Sequence, residues 1–158
     1  MNNFKRNSAP SAADLTPDRL ISALDKLSDN YYRLNLLRAE KFHLTWAEAR
    51  CLKYFVNERY LTVKGLALEM RLVKSRIVRI VQGLEQKALV KRFQHPQDKR
   101  ICLLGLTAEG KNTLKDLQSC CREAAETIWR NLQMEQKETL PITLEQLNNC
   151  IRLYLPGN

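Results

Sequence analysis

Between Lys74 and Gln86 the chain reads KSRIVRIVQGLEQ, a run in which hydrogen-bonding and apolar side chains alternate at helical spacing. At 100° per residue, Val73, Ile77, Ile80, Val81 and Leu84 gather on one side, Ser75, Val78, Arg79, Gln82 and Gln86 on the other, with Lys74 and Arg76 on the flanks. An arginine can bond guanine bidentately and a glutamine can pair with adenine, so Arg79 and Gln82 with Ser75 form a face able to read base edges. A helix with one apolar side and one such face has the proportions to enter a major groove.

A second set of polar groups follows. Leu89 to Phe93 and Arg100 to Leu106 read as two strands around His95-Pro96-Gln97-Asp98, because Pro96 has no place inside a central strand and fixes the turn there. A tip carrying Lys99 and Arg100 can project a guanidinium toward a narrow minor groove, where the potential is most negative. Asp98 is expected to orient Arg100. Lys91 and Arg92, on the first strand, read as phosphate contacts, which add affinity without sequence information.

Charge supports the same reading. Of 158 residues, 26 are Lys or Arg and 17 Asp or Glu, a net charge of +9 that calls for an anionic partner. Thr62 to Thr107 holds ten basic residues against Glu69, Glu85 and Asp98, so +7 of the excess lies in one segment.

These side chains need a scaffold, and the rest of the chain predicts a mainly helical one; five Gly and five Pro leave little room for an all-β domain. Residues 1–14 read as a disordered polar arm. A helix from about Thr16, with Pro17 in its first position, carries Leu20, Leu24, Leu27, Tyr31 and Leu34 as a near-heptad stripe. Thr45-Trp46-Ala47-Glu48 has capping-box spacing and opens a second helix through about Asn57. Thr62 reads as the cap of a short third helix, which breaks near Arg71-Leu72 before the basic one. Beyond the hairpin, one helix starts at Thr107 with Leu114, Leu117, Cys121, Ala124 and Ile128 in its stripe. The last carries Leu140, Leu144, Leu147, Ile151 and Tyr154; Pro141 and the capping spacing of Thr143 with Gln146 predict a kink or a late start.

Two short helices, a turn, a basic helix and a two-stranded hairpin make a winged helix-turn-helix pattern. From Leu61 to Gly110 the sequence resembles the MarR family of bacterial transcription regulators. The carrying residues are Lys74, Ser75 and Arg79 followed by Leu84-Glu85, then Asp98-Lys99-Arg100, then Leu106-Thr107-Ala108-Glu109-Gly110. The resemblance implies a homodimer held by the first, fifth and sixth helices, each subunit presenting one winged helix to half of a palindromic site on double-stranded DNA. The domain plan is then 15–41 and 108–155 for helical dimerisation and 42–107 for DNA binding. Two positions depart from the family: Val73 stands where a Ser or Thr cap is usual, and Val78, often polar, offers a thymine-methyl contact.

Many MarR-family proteins respond to small aromatic acids, which makes Tyr31, Tyr32, Arg33, Trp46 and Arg50 candidates for an effector pocket. Some sense peroxides through a cysteine near the start of the first helix, where this chain has none. Cys51 and Cys102 read as core thiols; Cys120, Cys121 and Cys150 could meet across a dimer interface. With only His43 and His95, no ligand spacing for a metal appears, and no catalytic constellation or cofactor motif emerges. Scattered cysteines in odd number, no apolar leader and no membrane span point to a cytoplasmic protein that is not an enzyme. The competing readings are a protein-interaction module acting through its dimer helices and a thiol-based redox-responsive regulator.

Overall fold

The computed structural model describes residues 16–155, so the arm expected over residues 1–14 lies outside it. Six helices and three strands occupy the described residues: α1 (Pro17–Glu40), α2 (Trp46–Lys53), β1 (Leu61–Thr62), α3 (Val63–Met70), α4 (Lys74–Gln86), β2 (Val90–Gln94), β3 (Cys102–Leu106), α5 (Ala108–Arg130) and α6 (Met134–Arg152). The chain divides into two compact units between Leu114 and Lys115. No described helix is long and apolar enough to cross a membrane.

Local chemistry sets most boundaries. Thr16 Oγ1 accepts the Arg19 amide and Pro17 opens α1. At α2 both halves of the capping box form: the Glu48 amide donates to Thr45 Oγ1 at 3.2 Å, and the Thr45 amide donates to Glu48 Oε2 at 2.7 Å. This helix stops at Lys53, short of the expected Asn57, because the amides of Tyr54, Phe55 and Val56 each reach back only three residues and tighten the end. Thr62 caps α3 through the Gly65 amide at 3.0 Å. Arg71, in the left-handed region at φ 53°, ends α3 and makes the turn into α4.

The apolar side of α4 is as the spacing predicts, with one correction. Ile77, Ile80, Val81 and Leu84 are buried, whereas Val73 is 69% exposed. It precedes the first turn of the helix, in extended backbone, so the helical wheel does not govern its direction. The core around α4 is built from Leu52, Leu66, Met70 and Leu104, all nearly inaccessible.

The hairpin is larger than expected. Strands β2 and β3 pair antiparallel, Val90 opposite Leu106 and Gln94 opposite Cys102, but β1 joins them in the order β1-β3-β2. Leu61 pairs with Leu104 and Thr62 with Leu103, so the two-stranded wing is part of a three-stranded sheet. Thr107 closes the far end: its Oγ1 accepts the Gly110 amide at 2.9 Å and its hydroxyl donates to the Ala88 carbonyl at 2.6 Å.

The second unit holds another correction. Helix α6 runs from Met134 through Pro141 without a fresh start at Thr143; Gln133 and Gln136 form its capping box instead. Proline leaves the Lys137 carbonyl without its helical donor. On either side of that gap, Thr139 Oγ1 donates to the Glu135 carbonyl and Thr143 Oγ1 to the Thr139 carbonyl, both at 2.9 Å.

Candidate nucleic-acid interface

Helix α4 presents Lys74, Ser75, Arg76, Arg79 and Gln82 to solvent. Among the described residues none of Lys74, Arg76 and Arg79 is ion-paired, so the first two turns carry uncompensated positive charge. Val78 is only half-buried, wedged on the border of the apolar side, and offers less surface than the wheel suggests. An open groove of about 620 Å³ runs beside this helix, lined by Thr45, Glu48, Val73, Ser75, Arg76, Arg79 and Ile80.

A buried carboxylate, Glu48, lines the groove. Glu48 Oε2 accepts the Thr45 amide and hydroxyl and, at 2.5 Å, the Lys87 ammonium; its side chain is 7% exposed. Burial pushes its pKa up, but the hydrogen bonds from Lys87 and Thr45 outweigh this and hold it below the ordinary value. A Cβ at Gly83 would lie 2.3 Å from Glu48 Oε1, so glycine is what lets the carboxylate come against α4. The first helix turn of α2 is thereby tied to the last turn of α4. The capping spacing found Glu48; nothing local pointed to Lys87, 39 residues away.

At the hairpin the expected residues are present in altered roles. Lys99 and Arg100 are exposed at the tip. Asp98 Oδ1 accepts the backbone amide of Arg100 at 2.9 Å, so it shapes the turn and does not hold the guanidinium. His95 Nδ1 faces the amides of Gln97 and Asp98, both at 3.3 Å, an organising part the sequence reading missed. Arg92 forms a two-bond pair with Glu85, at 2.8 and 3.0 Å, and so joins β2 to α4. Lys91 is exposed, with its ammonium 4.9 Å from the Phe93 ring centre; Tyr60 meets that ring edge-on at 5.3 Å.

The effector candidates are not gathered into this groove. Tyr31, Tyr32 and Arg33 lie exposed on α1, Arg50 donates to the Met70 carbonyl at 3.3 Å, and Trp46 lies under Lys53. Of the cysteines expected in the core, Cys51 is buried, with its thiol pushed up to about 12 by burial and by Glu48, whereas Cys102 is exposed on β3. No cluster of three or more potential metal ligands occurs among the described residues.

A recognition-type helix packed on two shorter ones and flanked by a basic hairpin defines a winged helix-turn-helix protein. Residues 44–102 match the MarR family. It is 30% identical over 92 residues to the HTH-type transcriptional regulator BilQ of Clostridium symbiosum, a match covering 58% of this chain and 64% of that one. The chain thus spans just under two thirds of that relative. Among solved structures it resembles RV1404 from Mycobacterium tuberculosis, with a TM-score of 0.76, 20% identity and coverage of 89% and 97% of the two chains. It also resembles the S. aureus MepR–DNA complex, with a TM-score of 0.64, 22% identity and coverage of 80% and 96%.

Proposed function

We propose that this chain is a homodimeric, sequence-specific DNA-binding transcription regulator. In this reading α4 lies in a major groove and the β2–β3 tip reaches a minor groove. The observation that carries it is the unpaired cationic face of α4 next to an exposed basic tip, on a fold whose solved neighbours include one bound to DNA. Ser75, Arg79 and Gln82 are the base-reading groups, Lys74, Arg76 and Lys91 the phosphate contacts, and Lys99 and Arg100 the minor-groove contacts. Arg92 is spent on Glu85 and contributes by fixing the hairpin to α4.

Dimerisation is supported by the stripes on the terminal helices. Leu20, Leu27 and Tyr31 on α1 and Leu140, Leu144, Ile151 and Tyr154 at the C-terminal end are exposed in the single chain.

Duplexes selected from a random pool by the full-length chain test the proposal. With about 6–10 phosphate contacts, affinity should fall by about 10³–10⁵ between 50 and 200 mM salt. Arg79→Ala should narrow the gap between selected and random duplexes by about 5–150-fold, whereas Lys91→Ala should weaken both equally. Equal losses on both duplexes for the Arg79 variant overturn its role in readout. A weak, salt-insensitive association that selects no sequence overturns the DNA reading and favours a protein-interaction module.

A further inference from the structure

The N-cap of α4 breaks a local rule without any structural return. Helix starts favour Ser, Thr, Asp or Asn, whose side chain satisfies a free amide, and this one has Val73 with no side-chain cap bond. Nor does Val73 contribute to the core, since it is 69% exposed. A residue that neither caps nor packs, placed beside groups that face a partner, is the sort of local conflict that marks function.

Its surroundings define what it could touch. Val73 lies in the wall of the groove together with Thr45, Glu48, Ser75, Arg76 and Arg79, which are polar, and Ile80, which is buried. It is therefore the exposed apolar surface of that wall. Its backbone is held in place, because its carbonyl accepts the amides of Arg76 at 3.0 Å and Ile77 at 3.3 Å. A β-branched side chain on a fixed backbone has little rotamer freedom to lose on contact. In a major groove the apolar feature of the base edges is the C5-methyl of thymine.

We propose that Val73, and not Val78, is the thymine-methyl reader of this chain, a specificity-determining residue at the entry of α4. The inference rests on the DNA reading above. Val78 is half-buried on the border of the core, whereas Val73 is exposed at the N-terminal end of α4, the end whose residues contact base edges in helix-turn-helix proteins.

The test replaces each thymine of a selected duplex, one at a time, with uracil, which removes the methyl and keeps the hydrogen-bonding edge. For the unmodified full-length chain, uracil at one thymine in each half-site should weaken binding by about fourfold, the factor one buried methyl group is worth. In Val73→Ser that penalty should vanish while those at other thymines persist. Serine is a favourable N-cap, so this variant keeps its fold, and a melting temperature no lower than that of the parent verifies it. A Val78→Ala variant should retain the Val73-dependent penalty. Uracil penalties identical in the parent and Val73→Ser overturn the assignment while leaving DNA binding intact. Failure to select any sequence overturns both.

Discussion

Gly110 shows how a single position in the Leu-Thr-x-x-Gly motif is fixed by geometry. Its amide caps onto Thr107 Oγ1, and a Cβ there would stand 1.9 Å from the Leu89 carbonyl oxygen, a contact that backbone cannot relieve. Gly110→Ala should therefore cost about 3 kcal/mol, the upper end of overpacking penalties, and urea denaturation should report it as a lower midpoint. The opposite sign is expected nearby. Ala88 ends the α4 turn in the left-handed region at φ 55°, where a Cβ is unfavourable, and the Leu89 amide reaches back to the Leu84 carbonyl at 2.9 Å. Ala88→Gly relieves that strain at the price of backbone entropy, for a net gain of about 0.5–1 kcal/mol and a rise of about 1–4 °C in Tm. A fall in Tm for Ala88→Gly would show that the side chain makes a packing contact that outweighs the strain.

Elements are fixed to one another by a few long-range polar links, and the link from α2 to α4 carries a pH signature. Glu48 is held below its ordinary pKa by Lys87 and Thr45, so the folded state binds this proton less readily than the unfolded chain does. Its contribution is present above the ordinary glutamate value of about 4.3 and is lost as pH falls below it. Glu48→Gln should destabilise the chain at pH 7 by about 1–3 kcal/mol, and the gap to the parent should close as pH drops from about 5 toward 3. A gap that stays constant with pH would show that the carboxylate's charge is immaterial. How much of this the sequence could reveal depends on range. Capping residues, the 3.6-residue period of α4 and the turn at Pro96 are local, and Thr45, Ile77 and Arg79 stand where those rules put them. The pairing of Leu61 with Leu104, the Glu48–Lys87 bridge and the Arg92–Glu85 pair are decided by how the elements pack, and no spacing along the chain announces them. Pro141 shows the reverse case: the late start it suggested does not occur, because the helix continues on both sides of this local breaker.

For the molecule as a whole, the distribution of apolar surface decides the assembly it should adopt. Helix α6 buries none of its residues in the single chain, although Leu140, Leu144, Leu147 and Ile151 recur at the spacing of a packed seam. A helix of this length draws most of its stability from packing of an apolar face, so a seam left in water needs a second surface. Helix α1 repeats the pattern in the other unit with Leu20, Leu27 and Tyr31. In the proposed homodimer a second copy of the chain would supply a surface for each seam, and a two-fold axis would match two winged helices to two half-sites one helical turn apart. The double variant Leu144→Glu with Ile151→Glu places charge in the α6 seam without touching the residues of the winged helix. Sedimentation should then show a dimer for the parent and a monomer for the variant. On a duplex with both half-sites the variant should lose the avidity of the second contact, about 10²-fold or more, while its weaker binding to a single half-site stays unchanged. A parent chain that sediments as a monomer, or a variant that stays dimeric, would place the seam's partner elsewhere than in a second copy.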